Sequence, residues 1–156
     1  MKDDTPFWES AKTFSFVSRK LPVDISLRPL FRISLLCLSL FLCCRNQQGS
    51  FLRLQFLNWL IKNRKGDGKE LDASNLKAVL KNNFLHLDPF FNIALQFAIG
   101  DKLVVVEITK KIRLTEKGQA LCNFILQNKL FADETTYLLS LKKIPDTAIL
   151  RKIQED

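Results

Sequence analysis

Four cysteines, Cys37, Cys43, Cys44 and Cys122, and one histidine, His86, are the first residues to weigh for metal or nucleophile chemistry. A structural zinc site takes four thiolate or imidazole ligands at tight spacings such as C-x-x-C, and no such pair is present. Three of the cysteines lie inside one apolar run, where Cys behaves as a small hydrophobe. Buried, inert thiols are the expectation, with a reducing, cytoplasmic compartment as the setting. His86, in NNFLHLD, reads as a helix-end or packing histidine. No Ser or Cys has a second histidine to serve it as base. G-D-G-K at 66–69 lacks the following Ser or Thr and the preceding spacing of a phosphate loop. The acids are scattered rather than paired. The expectation is a non-catalytic chain with no metal and no cofactor.

The cations carry more information. The chain has 24 Lys and Arg against 16 Asp and Glu, a net charge of +8. Residues 30–66 hold Arg32, Arg45, Arg53, Lys62, Arg64 and Lys65 and no acid. Residues 103–118 add Lys110, Lys111, Arg113 and Lys117 against Glu107 and Glu116. Arg53, Lys62, Arg64, Lys65, Lys110, Lys111 and Arg113 are therefore the candidate nucleic-acid contacts. Such a patch holds phosphates without reading sequence, and its affinity falls steeply with salt. A solvated surface, or one that meets an acidic protein, fits the same charges.

What must position these groups is one domain, with an arm at its start. Residues 1–29 place Phe7, Trp8, Phe14 and Phe16 among polar neighbours. They are candidates for partner binding, or for folding back on their own core. Then comes LFRISLLCLSLFLCC, residues 30–44, in which twelve of fifteen residues are Leu, Ile, Phe or Cys. As a helix it spans about 22 Å, short of the ~30 Å of a bilayer core. Arg32 lies within it and Arg45 closes it. Arg28, Arg32 and Ser39 fall on one stripe, which predicts a mostly buried helix with a thin wet edge. The opening MKDDTPFWES carries acids and lacks a signal peptide's basic start, so no membrane attachment is expected.

Further along, Ser50 can cap a helix running to about Asn63, with Gln55, Asn58, Lys62 and Lys65 on one face and Leu52, Phe56, Trp59 and Leu60 on the other. A third helix is expected over 73–83. In LDPFFNIALQFAIGD, Asp88 is a good N-cap, Pro89 suits the first helical position and Gly100 marks the end. The period then changes: LVVVE (103–107) and KIRLT (111–115) read as strands. Thr115 caps TEKGQALCNFIL, Asp133 can cap a further helix, and Pro145 opens a last amphipathic stretch.

Helices followed by a hairpin that runs into a helix capped by L-T-E-K-G resemble a winged helix. The likeness rests on GDKLVVVEITKKIRLTEKGQAL, residues 100–121, and the helices before it. It implies a mainly α fold: a winged-helix domain over residues 30–130, with a helical core and a short two-stranded wing. The arm precedes it, and a C-terminal helical extension follows over 131–156. In that family the helix before the wing usually reads the DNA major groove. Reading needs Arg, Lys, Asn or Gln aimed at base edges. PFFNIALQFAI has no Lys or Arg, and only Asn92 and Gln96 are polar. It looks like a core or interface helix instead.

Residues 21–63 also resemble the small middle component of ABC three-component systems, the Lamassu-type anti-phage defence subunit among them. The residues concerned are Arg28, Pro29 and Leu30 at the head of an apolar helix, then Leu54 through Trp59 in the next. The resemblance implies a winged-helix adaptor between an SMC-like ABC ATPase and an effector nuclease. The alternative is a winged-helix DNA-binding transcriptional regulator.

Overall fold

The computed structural model describes residues 28–63 and 88–141. The aromatic arm, the helix expected over 73–83, His86 and the stretch after Pro145 lie outside the described residues. Within them the protein is mainly helical, with a small three-stranded antiparallel sheet.

Helix α1, Pro29–Cys43, is the centre of the packing. Pro29 occupies its first turn, where the missing N–H costs nothing. It touches helices on several sides, so Ile33 to Leu40 are all buried. Cys37, Leu38 and Leu40 are wholly enclosed. Each Leu taken fully from water contributes roughly 1.5–3 kcal/mol, which makes this helix the main source of core stability. The wet edge expected along Arg28, Arg32 and Ser39 is confined to Arg28, which is exposed just before the helix. Arg32 is only 7% exposed and Ser39 is buried, its hydroxyl donating to the Leu35 carbonyl at 2.7 Å. A helical wheel shows which residues share a line, not what another element lays over it.

The chain leaves α1 through a single 3-10 turn, Arg45–Gln47, with Asn46 and Gln47 at positive φ. Asn tolerates this conformation through its short polar side chain. Strand β1, Gln48–Ser50, follows at once and was not legible as a strand. Helix α2, Phe51–Asn63, begins with the Ser50 hydroxyl accepting from the Arg53 N–H at 3.2 Å, the expected cap. Its buried residues are Arg53 to Leu57 and Leu60. Phe56 is enclosed as expected, but so is Gln55, while Trp59 is only half-buried.

Helix α3, Pro89–Gly100, starts as foreseen: the Asp88 carboxylate accepts from the Phe90 N–H at 3.0 Å. Its end differs. Gly100 is still helical, and Lys102, at φ 58°, makes the left-handed turn. The Lys102 N–H donates to the Ile99 carbonyl and the Leu103 N–H to that of Ala98, both at 2.9 Å. This is a Schellman ending with lysine where glycine is usual.

Strands β2, Val104–Val106, and β3, Lys111–Leu114, form the expected hairpin. In the sheet β3 is central, pairing with β2 on one side and β1 on the other. Gly49 faces Ile112, and Val106 faces Ile112 from the opposite side. The expected two-stranded wing is thus part of a three-stranded sheet. The turn runs from Glu107 to Lys110, and Lys110 again has positive φ, 59°.

Helix α4, Glu116–Gln127, explains the L-T-E-K-G run. Thr115 Oγ1 accepts from the Gly118 N–H at 3.2 Å and donates to the Lys102 carbonyl at 2.7 Å. One hydroxyl therefore caps α4 and ties it to the end of α3. Gly118 lies so close to β2 and β3 that a Cβ there would run into the Leu103 carbonyl and the Leu114 side chain. The motif needs glycine for space. Helix α5, Ala132–Leu141, buries Leu138 and Leu141. Asp133 stands in its first turn rather than at its cap position, where acid still complements the helix dipole. Among the described residues no helix is long and apolar enough to cross a membrane.

Candidate functional site

The start of α3 gathers the polar groups of three helices. From α1, Arg32 Nη1 lies 2.8 Å from Asp88 Oδ2. From α2, the Asn58 amide donates to the same oxygen at 3.3 Å, and Lys62 Nζ is 3.7 Å away. The other oxygen of Asp88 caps α3. Burial pushes the Asp88 carboxyl up. Hydrogen bonding and charge from Arg32, the Phe90 N–H and the Asn58 amide outweigh it and hold the pKa below the usual carboxylate value. The Arg32 guanidinium also sits 5.3 Å over the Phe90 ring, a cation–π contact. One turn on, Gln55 donates to Asn92 at 3.1 Å, so one of the two polar residues of α3 is already engaged inside the fold.

Beside this hub, α2 and α3 leave a cleft of about 330 Å³. Its apolar walls are Trp59, Pro89 and Phe90, and Lys62 stands at its rim. Helix α3 itself is split lengthwise. Phe91, Ala94, Leu95 and Ala98 face the core. Phe90, Ile93 and Phe97 face out and are 50%, 45% and 53% exposed. Three large apolar side chains at i, i+3 and i+7 form one stripe. Sequence showed this helix to be oily but not which half stayed outside. That half shares the solvent with Val105, Val106 and Ile108 of the hairpin.

The expected phosphate contacts are dispersed. Lys110, Lys111 and Arg113 are exposed and close together on the hairpin and β3, with Arg113 Nε bonded to Glu107 Oε1 at 2.6 Å. Lys62 is exposed on α2, at the cleft. Arg53 is a correction. It is only 6% exposed, and its Nη2 donates to the Cys43 carbonyl at 2.7 Å, closing the C-terminal end of α1. A charge so placed serves the helix end rather than a ligand. Arg64, Lys65, Phe7, Trp8, Phe14 and Phe16 lie outside the described residues.

The thiols are those of a core. Cys37, Cys43 and Cys122 are buried and Cys44 is half-buried, none of them in a disulfide, and the Cys43 thiol donates to the Leu138 carbonyl at 3.1 Å. Burial pushes Cys37 and Cys122 up to about 12, so neither forms a thiolate near neutral pH. No group of His, Cys, Asp and Glu among the described residues is arranged to hold a metal ion.

No protein-family model, no curated protein and no solved structure matches this chain.

Proposed function

We propose that this chain is a non-catalytic winged-helix adaptor subunit of an SMC-like ABC ATPase complex of the Lamassu type. In this reading it works in the cytoplasm in anti-phage defence and links the ATPase to an effector nuclease. The observation that carries it is the outer face of α3. The helix that a winged-helix DNA reader would offer to the major groove offers Phe90, Ile93 and Phe97 instead. Base edges are polar and call for hydrogen-bonding side chains. An exposed apolar stripe is what a protein partner covers. The order helix, strand, helix, then α3 and a hairpin whose β3 pairs with β1, supports the winged-helix assignment. The resemblance of residues 21–63 supports the choice of partner.

Lys110, Lys111 and Arg113 favour a second reading, a winged-helix DNA-binding regulator. In the adaptor reading the same residues hold DNA non-specifically while protein contacts set the location. Purification of the tagged full chain from its own host, with mass spectrometry of what stays bound, separates the two. The adaptor reading expects a coiled-coil ATPase and a nuclease in fixed ratio. A homodimer that footprints a palindromic operator, without an ATPase, overturns it.

A further inference from the structure

The tip of the hairpin carries residues that its turn disfavours. The Glu107 N–H donates to the Lys111 carbonyl at 2.8 Å, and beyond that pair the hairpin closes through Ile108, Thr109 and Lys110. The Lys110 N–H donates to the Glu107 carbonyl at 2.9 Å. Such a loop favours small or polar residues and ends on a left-handed one, where glycine is usual. Here it opens with a β-branched Ile and closes with Lys110 at φ 59°. Ile108 is 103% exposed, so its side chain packs on nothing in the fold. Apolar residues scattered over a flat surface are ordinary, but this one projects from a tip.

Cations stand around it. Lys110 and Lys111 follow within three residues, and both are exposed. Along β3, Lys111 and Arg113 face out while Ile112 and Leu114 face the core. Glu107 is the one acid within the hairpin, and its carboxylate is bonded to Arg113. Three cations against one acid leave a net charge of +2. The neighbouring strand β1 and the helices α1 and α2 that flank it in sequence contain no acid. Asp101 and Glu116 stand at the opposite end of the hairpin, where the Thr115 N–H donates to the Leu103 carbonyl.

A narrow apolar prong between lysines matches the minor groove of duplex DNA. That groove is ~6 Å wide, with phosphates along its walls. Proteins that kink DNA push a side chain such as Ile or Leu between base pairs from this groove, and the partly unstacked step takes it in. A bilayer fits less well. One side chain brings far less apolar area than a myristoyl chain, which itself gives only marginal membrane binding.

We propose that Ile108 is a wedge for duplex DNA. It enters a base step from the minor groove, and Lys110 and Lys111 hold the phosphates on either side. Such a site selects deformable DNA rather than a base sequence. The proposal deepens, and rests on, the reading in which Lys110, Lys111 and Arg113 hold DNA non-specifically. It also gives a reason for Lys110 where glycine would relieve the backbone.

The test uses the full chain and a short duplex with 2-aminopurine in place of adenine at a T–A step, which unstacks easily. Saturating protein should raise the 2-aminopurine fluorescence, and energy transfer between end labels should report a kink of about 20° or more. Ile108→Ala changes a fully exposed side chain, so it should lose both signals and keep the salt slope of binding. Ile108→Leu should keep both signals. Binding without a fluorescence change, or a change that survives Ile108→Ala, overturns the wedge and leaves non-specific DNA binding standing. No DNA binding at all removes that reading and the wedge with it. Binding to anionic phospholipid vesicles instead, lost in Ile108→Ala, assigns the tip to a membrane surface and overturns the wedge.

Discussion

The guanidinium of Arg32 and the carboxylate of Asp88 meet at 2.8 Å across 56 positions of sequence. The contact joins the first turn of α1 to the N-cap of α3, and Asn58 joins it from α2. Two charges are largely removed from water here, and each offsets part of the cost of burying the other. The pair ties the start of α3 to the first turn of α1, while Phe91, Ala94, Leu95 and Ala98 hold its inner half in the core.

Asp88 does two things, and substitution separates them. Asp88→Asn keeps a good N-cap but loses the charge facing Arg32. It should lower unfolding free energy by about 2 kcal/mol in urea titration, because the buried Arg32 guanidinium loses the carboxylate charge at 2.8 Å. Asp88→Ala loses the cap as well and should cost about 1 kcal/mol more. Equal losses in the two variants would mean that the cap contributes nothing.

The same carboxylate gives a pH dependence. Its pKa in the folded chain lies below its ordinary value of 3.8. The stability it adds is present above the unfolded value and lost as pH falls through the folded one. The gap in thermal midpoint between the wild type and Asp88→Asn should be constant from pH 7 to about pH 5 and close toward about pH 3. A gap that stays constant to pH 3 would remove Asp88 from the acid response.

Three lysines hold left-handed backbone: Lys102, Lys110 and Lys129, at φ 58°, 59° and 52°. In each, the Cβ crowds the carbonyl that a glycine would leave free. Lys129 closes α4 as Lys102 closes α3, with the Leu130 N–H donating to the Ile125 carbonyl at 2.9 Å. Lys110→Gly and Lys129→Gly should each raise stability by up to about 1 kcal/mol in urea titration. A loss at either site would mean that the lysine side chain contributes more than the backbone strain.

The cations should separate by place. Lys110→Ala with Lys111→Ala should lower the slope of log K against log salt for duplex DNA by about 2, one unit per phosphate contact. Arg53→Ala should leave that slope unchanged. It should instead lower the thermal midpoint, since it removes a buried donor from the Cys43 carbonyl. A changed slope with Arg53→Ala would return that residue to the phosphate-binding set.

Local signals were readable without coordinates. Ser50, Asp88 and Thr115 each cap the helix they precede, since a side-chain oxygen and the N–H groups it satisfies lie within four residues. Pro29 and Pro89 mark helix starts for an equally local reason, their fixed φ. The hairpin was legible from β-branched residues at strand period. Net charge, the oily character of α3 and the lack of metal-ligand spacing also follow from composition and order alone. Longer-range facts had no such marker. Gln48–Ser50 has no strand pattern of its own and becomes a strand because β3 lies alongside, some sixty residues later. Arg32 and Arg53 read as surface charges, and packing enclosed both. The exposure of Phe90, Ile93 and Phe97 is of the same kind. Burial depends on which face of a helix its neighbours reach, and those contacts span tens of residues, beyond the few-residue range over which side chains signal their own conformation.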